Sequence, residues 1–156
     1  MRASGGDGVS LDRDIALLSR VRFFEGFGAE EIRLIAFGVE PRELADGERL
    51  LREGSYSDGA FVVREGAVAL TSRRSRDAPV LGPADIVSPL ALVSEIDHGH
   101  TVTARGPAEV VKVSRQLFRR VLEEYPHLAA LLERRVRASL AGMGPELERI
   151  LRELGD

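Results

Sequence analysis

The sequence contains no cysteine. Disulfide bonds, zinc sites built on thiolates and a cysteine nucleophile are therefore excluded, although this leaves the redox compartment undecided. The sequence also lacks an apolar run of the ~18–20 residues needed to cross a bilayer, and its opening stretch, MRASGGDGVS, has no apolar signal-peptide region. We therefore expect a cytoplasmic protein with no membrane partner.

The chain also has no excess of basic over acidic residues. The formal net charge is -3, whereas proteins that bind nucleic acids usually carry a clearly basic surface. Apolar residues make up 44% and charged residues 30% of the chain, which is ordinary for a globular protein. Direct DNA binding is disfavoured, and salt-dependent retardation of duplex DNA by the purified chain would test it.

The 156 residues are enough for one domain with short appendages. Residues 1–10 are rich in Gly, Ser and Asp and are expected to be disordered, because they offer little to bury. We predict the domain over residues 11–143. A short C-terminal helix is expected over residues 144–156, after a Gly144-Pro145 hinge.

Helical periodicity marks the first part of the chain. Apolar residues recur every three or four positions from Leu11 to Val21, which predicts one helix, and a second is expected from Ala29 to Gly38. Three phenylalanines lie between the two helices and are expected to close one end of the core: Phe23, Phe24 and Phe27.

Short extended runs separated by glycine turns follow Pro41, a pattern typical of a β-sandwich or β-roll. Pairs such as Asp46-Gly47 and Glu65-Gly66 supply the positive φ that tight turns require. We predict seven or eight short strands, with candidates at residues 42–44, 49–52, 59–64, 67–72, 80–81, 101–104 and 109–113.

The helical period returns at Arg115, and the Tyr125-Pro126 step divides this part into two helices. The second helix carries an apolar stripe that can pack on the chain's own roll, on a second copy, or on both. Its members are Leu128, Leu131, Leu132, Val136, Leu140 and Met143.

Two helices, a glycine-rich β-roll and two further helices form an order that resembles the cyclic-nucleotide-binding domain of catabolite activators and protein kinase A regulatory subunits. The similarity covers roughly residues 14–143, and six short motifs support it in the right order. They are Phe23-Phe24-Glu25-Gly26-Phe27, Leu51-Arg52-Glu53-Gly54, Asp58, Phe61-Val62-Val63-Arg64-Glu65-Gly66, Leu81-Gly82-Pro83-Ala84-Asp85 and Leu90-Ala91-Leu92. The resemblance implies a mainly β protein with flanking helices, a double-stranded β-helix of the jelly-roll type.

The resemblance also implies a phosphate-binding cassette in residues 82–104. It places Ser88 at a glycine that approaches the cyclic phosphate, Pro89 at a glutamate that accepts from the ribose 2′-hydroxyl, and His98 at an arginine that pairs with the phosphate. The ligand-binding positions implied by the resemblance are Ser88, Pro89, Leu90, Ala91, His98, Gly99, His100 and Thr101.

All three of the ligand-defining residues differ from the family pattern. Pro89 has no acceptor for a hydroxyl and no N–H for a phosphate, and a histidine is mostly neutral at pH 7. We predict weak or no binding of cAMP and cGMP and no other cofactor. The alternative is a sensor that holds a cyclic nucleotide or another small anion through backbone N–H groups of residues 88–92 and through His98.

Other charged clusters have ordinary interpretations beside functional ones. Asp97, His98 and His100 could chelate a metal, but no second cluster supplies more ligands, so a solvated loop is favoured and no metal is predicted. The arginines of Arg73-Arg74-Ser75-Arg76 could meet phosphate or an acidic partner, although a charged hairpin tip is the usual explanation.

No grouping of residues suggests an enzyme. The resemblance implies a regulatory module and a homodimer whose seam contains Leu128, Leu132, Val136 and Leu140. It also implies an unidentified protein partner. Transcription factors of the family carry a DNA-binding domain after the long helix, and because only residues 144–156 follow here, we expect no direct DNA binding.

Overall fold

The structure is a computed structural model that describes the backbone of residues 7–139 and the side chains of residues 10–138. Two helices precede a β-roll and two follow it, as predicted. They are α1 (Asp7–Ser19), α2 (Ala29–Gly38), α3 (Arg115–Glu124) and α4 (Leu128–Ser139). The predicted hinge and terminal helix of residues 144–156 lie outside the described residues, as do residues 1–6.

The first helix begins earlier than predicted. Helix α1 starts at Asp7, so residues 7–10 of the expected disordered tail are helical. Farther along α1, Asp14 and the β-sheet residue Glu109 both bind the guanidinium of Arg64, and these bonds fix the helix against the sheet.

The roll is an antiparallel sheet with two long strands at its centre. Strand β6 pairs with β1, β2 and β3, while β3 also pairs with β4 and β5. The strands are β1 (Glu40–Leu44), β2 (Arg49–Leu51), β3 (Gly59–Thr71), β4 (Val80–Leu81), β5 (Ile86–Val87) and β6 (Thr101–Ser114).

Two of the predicted divisions between strands are wrong. Residues 59–64 and 67–72 belong to one continuous strand, β3, and residues 101–104 and 109–113 belong to β6. The Glu65-Gly66 pair forms a bulge, at which the register to β6 shifts, instead of a turn. Gly66 has φ +80, and a Cβ there would lie 2.4 Å from the Pro107 carbonyl oxygen. Strand β5 was not predicted, because its two residues are too short to show alternation.

Two hydrophobic clusters lie on either side of this sheet. The larger cluster is built from helices and from sheet residues such as Val62 and Val111, and the smaller one fills the roll around Phe61 and Val102. The predicted packing of the phenylalanines at one end of the core is confirmed. The Phe24 ring centroid lies 5.4 Å from that of Phe27 and 6.0 Å from that of Phe118 in α3.

Helix α4 packs on its own chain, which changes the expected dimer seam. Leu128, Leu132 and Val136 have 0% exposure and belong to the larger cluster. The Arg135 guanidinium binds the Arg22 carbonyl at 2.9 Å and so fixes α4 to the turn before α2. The part of the stripe that the structure describes, Leu128 to Val136, therefore belongs to the core, and these three side chains are not available to a second copy in this structure. The fourth predicted seam residue, Leu140, lies outside the described residues.

No helix in the described part of the chain is both long and apolar enough to cross a membrane.

Candidate ligand cassette

A hydrogen-bonded turn joins β4 to β5 and brings the cassette onto the sheet. The Gly82 N–H donates to the Asp85 carboxylate at 2.8 Å, and the Ala84 N–H donates to the Val63 carbonyl of β3 at 2.9 Å. The Val63 N–H returns a bond to the Asp85 carbonyl at 3.0 Å. Backbone hydrogen bonds to β3 thus fix the position of the segment that leads into the cassette.

Ser88 leaves the sheet in a conformation that suits glycine. Its φ is 58° and its ψ is 51°, in the left-handed region, and a 3₁₀ turn (Pro89–Leu92) follows directly. The N–H of Ala91 donates to the Ser88 carbonyl at 3.0 Å, and Pro89 has no N–H. Ala91 and Leu92 are buried beneath the turn. The turn keeps the cassette shape, while some of the backbone donors expected to meet an anion are missing or already used.

His98 closes the far side of the cassette. The side chain is only 4% exposed, and its Nδ1 atom lies 2.9 Å from the Ser88 hydroxyl oxygen. Its backbone N–H donates to the Ser55 carbonyl at 2.9 Å, and its carbonyl accepts from the Gly54 N–H at 2.8 Å. The two residues at the family's glycine and arginine positions therefore contact each other.

Burial also determines the charge of this histidine. Desolvation lowers the pKa of His98 below its ordinary value of 6.5, and the nearby carboxylates of Asp58 and Asp97 only partly oppose the shift. The imidazole is neutral at pH 7.

The expectation of a solvated loop is wrong for His98, since its side chain is buried, and right for Gly99 and His100, which are exposed. The two histidines of the candidate metal cluster therefore differ in environment. Among the residues that the structure describes, no group of three or more metal-binding side chains converges.

Thr101, the first residue of β6, has a structural contact. Its hydroxyl accepts a bond from the Glu53 N–H at 3.0 Å. The bond fixes the segment after β2 to the end of the cassette. Glu53 in turn accepts from the Arg73 N–H at 3.1 Å, so the arginine-rich β3–β4 connection is attached at the same place.

Arg115 is a site residue that the sequence analysis missed. Its side chain is 6% exposed, although it is the first residue of α3. The guanidinium donates to the Ala91 carbonyl at 2.8 Å, to the Ser57 carbonyl and to the Tyr56 hydroxyl at 3.3 Å. One sequence signal was available: a cation in the first turn of a helix is electrostatically unfavourable and needs a reason.

The charged side chains within the cassette segment itself do not favour an anion. Residues 82–104 contain the carboxylates Asp85, Glu95 and Asp97 and no lysine or arginine. The Arg115 guanidinium, which contacts the cassette turn, is already shared among carbonyl and hydroxyl oxygens. Outside the cassette, a hydrogen bond from Lys112 at 2.9 Å lowers the pKa of Asp58 and keeps that carboxylate charged.

A β-roll with a short helical cassette at one end and helices on both sides defines the fold class of the chain. Comparison with known families gives the same result. The model of the cyclic nucleotide-binding domain matches residues 41–125, and this chain belongs to that family.

Three relatives illustrate the range of the family. A cyclic nucleotide-binding-like protein from Brucella abortus is 35% identical, with a TM-score of 0.63 over 70% of this chain and 97% of that chain. The N-terminal domain of a transcriptional regulator from Streptomyces coelicolor A3(2) is 27% identical, with a TM-score of 0.70 over 81% of this chain and 94% of the other.

The third relative is a cGMP-dependent protein kinase from Eimeria tenella, 27% identical over 111 residues. The matched part is 71% of this chain and 11% of the kinase. The chain therefore corresponds to about a tenth of that relative.

Proposed function

We propose that this chain is a non-catalytic regulatory module that binds cAMP and cGMP weakly or not at all and that acts through protein contacts. One observation carries the proposal: Ser88 and His98, which stand at the family's phosphate-binding positions, bond to each other at 2.9 Å inside the cassette. A ligand phosphate would have to break this bond and would gain no cation, because the imidazole is neutral.

The energetic consequence follows from the lost partners. An arginine–phosphate hydrogen bond contributes ~1.5–3 kcal/mol, so its absence alone weakens binding by one to two orders of magnitude. Pro89 removes the acceptor for the ribose hydroxyl as well. The carboxylates of Glu95 and Asp97 add repulsion toward an anionic ligand.

Isothermal titration calorimetry with cAMP and cGMP tests the proposal. We expect no measurable heat at micromolar ligand for the natural sequence. The triple variant Ser88→Gly, Pro89→Glu and His98→Arg restores the family pattern and should gain at least about tenfold in affinity. The single variant Ser88→Gly serves as the control, since it relaxes the left-handed residue without adding a ligand contact.

Low-micromolar binding by the natural sequence would overturn the proposal and favour the alternative, a sensor for a cyclic nucleotide or another small anion. A thermal-shift screen with nucleotides separates the two functions, because a bound ligand stabilises the folded state by mass action whereas an interaction module does not respond. If the triple variant stays silent while folded, the loss of binding does not originate in these three residues.

Homodimerisation remains a prediction. Since Leu128, Leu132 and Val136 are already enclosed in one chain, a dimer would need a surface that does not include these three side chains. Sedimentation velocity over a range of protein concentrations measures this directly.

A further inference from the structure

The connection between β3 and β4 carries three arginines within four residues. Residues 73–76 read Arg-Arg-Ser-Arg, and every residue from 73 to 80 is exposed. A run of this kind is ordinarily a solvated hairpin tip. This one differs in two respects: its backbone is fixed to the roll, and its charges are not used within the described part of the chain.

Hydrogen bonds fix the backbone of the connection. The carboxylate of Glu53, in the segment after β2, accepts from the Arg73 N–H at 3.1 Å and from the Ser72 hydroxyl at 3.3 Å. The Ser72 oxygen accepts from the Arg74 N–H at 3.1 Å, and Ser72 forms an antiparallel bridge with Ser75. A backbone that is already ordered loses less conformational entropy when a partner binds, which favours affinity.

The guanidinium groups of this connection have no hydrogen-bond or ion-pair partner among the residues that the structure describes. This holds for Arg73, Arg74 and Arg76. It holds also for the exposed Arg52, which lines a cavity of about 350 Å³ together with Arg73. By contrast, the Arg64 guanidinium in the middle of β3 binds two carboxylates. We call Arg52, Arg73, Arg74 and Arg76 the arginine tip.

The arginine tip is positive on a chain that is negative overall. Two carboxylates adjoin its four arginines in sequence, those of Glu53 and Asp77. Glu53 already accepts hydrogen bonds from the backbone and the serine of the connection. Since the whole chain carries a net charge of -3, the tip differs in sign from the rest of the molecule.

Charge favours a short acidic segment as the occupant. A nucleic-acid duplex or an anionic membrane is an extended polyanion, which would face carboxylates outside the tip as well as the arginines. Residues 72–77 also contain no apolar side chain that could enter a bilayer. A segment with a few neighbouring carboxylates needs only the guanidiniums of the tip, which bind carboxylates through paired hydrogen bonds.

We propose that the arginine tip docks an acidic segment of a partner protein. Neighbouring Asp or Glu carboxylates of that segment bind the guanidiniums that the chain itself leaves unpaired. Because these contacts are exposed ion pairs, the affinity should be modest and should fall as the salt concentration rises. This inference rests on the proposed interaction role and deepens it by naming the surface and the chemistry of the partner.

Fluorescence anisotropy with a labelled acidic peptide tests the docking. The probe is a peptide of about eight residues in which Glu and Ser alternate, and the same peptide with Gln in place of Glu is its control. At about 50 mM salt the full chain should bind the Glu/Ser peptide and not the Gln/Ser peptide. The triple variant Arg73→Gln, Arg74→Gln and Arg76→Gln should weaken binding at least about tenfold.

A second triple variant separates the position of the lost charge from its amount. Arg119→Gln, Arg120→Gln and Arg134→Gln removes three exposed guanidiniums from α3 and α4 and changes the net charge equally. Its affinity for the Glu/Ser peptide should stay within about threefold of that of the natural sequence. Circular dichroism checks that both variants keep the fold, and Arg74→Gln alone should give a smaller loss of the same kind.

Equal affinity of the Glu/Ser peptide for the two triple variants would overturn the proposal, as would the absence of binding to the natural sequence. Retention of duplex DNA or of phosphatidylserine vesicles that only the tip variant loses would also overturn it, because the occupant would then be an extended polyanion. The same holds for self-association that only the tip variant loses, since a second copy would then occupy the tip. None of these measurements uses a nucleotide, so the calorimetric test of the proposed function is decided separately.

Discussion

Replacement of Arg115 by methionine should destabilise the domain strongly, because this side chain connects three segments that are distant in sequence. Its guanidinium bonds to the carbonyl of Ala91 in the cassette turn and to the carbonyl of Ser57 in the loop before β3. The bond to the Tyr56 hydroxyl is longer, at 3.3 Å, and lies partly in solvent, so it should contribute less.

The magnitude follows from these contacts. Each charge-assisted bond to a carbonyl contributes about 1.5–3 kcal/mol, and its loss leaves a buried acceptor unpaired. Two terms act in the opposite direction: the variant no longer buries a charge, and it removes a cation from the first turn of α3, which recovers about 0.3–1 kcal/mol. The net loss for Arg115→Met should be about 2–4 kcal/mol.

Urea unfolding followed by circular dichroism measures this loss as a lower midpoint with an unchanged slope. Arg119→Met, an exposed position on the same helix, is the matched control and should change the free energy of unfolding by less than about 0.5 kcal/mol. Arg115→Lys keeps the charge but not the planar fork and should lie between the two. A free energy for Arg115→Met equal to that of the Arg119→Met control would refute the reasoning.

Two further predictions concern His98 and the glycines. Burial lowers the pKa of His98 in the folded state, so the unfolded chain binds the proton of this histidine more tightly. The free energy of unfolding should therefore fall as the pH drops below about 6.5, by at most about 1.4 kcal/mol per pH unit. The fall should end once the pH has passed the pKa of His98 in the folded state. Denaturation of His98→Gln between about pH 8 and about pH 5 should lack this component, and identical pH profiles for the two proteins would contradict the assignment. Gly66→Ala should destabilise the chain more than Gly47→Ala: both glycines have φ near +80, but a Cβ meets the Pro107 carbonyl at Gly66 and nothing within 4 Å at Gly47. Gly47→Ala should lower the free energy of unfolding by about 1 kcal/mol through backbone strain alone. Equal melting temperatures for Gly47→Ala and Gly66→Ala would show that the bulge tolerates a side chain.

Element order was accessible from the sequence because it depends on local patterns. Apolar spacing identified the helices, and the Tyr125-Pro126 step marked the correct boundary between α3 and α4. The Glu65-Gly66 pair is a feature that the local sequence could not assign correctly. Both a tight turn and a bulge require positive φ at the glycine, so only the pairing of β3 with β6 distinguishes them.

The candidate site was predictable in outline and not in its contacts. The burial of His98 results from backbone bonds to Gly54 and Ser55, more than forty positions earlier in the chain. Arg115 is buried by residues at separations of 24 and 58 positions. No periodicity or short motif contains such information, because periodicity describes which face of one element is apolar and not which element will cover it.

The hydrogen bond from Arg135 in α4 to the turn between α1 and α2 has a consequence for how the chain folds during synthesis. The guanidinium of Arg135 meets the Arg22 carbonyl across 113 positions of sequence, and the larger hydrophobic cluster contains both Phe24 and Val136. During synthesis, the apolar faces of α1 and α2 therefore emerge from the ribosome long before α4 exists to cover them. At ~5–20 residues per second this interval lasts several seconds, in which the nascent chain exposes surface that chaperones can recognise.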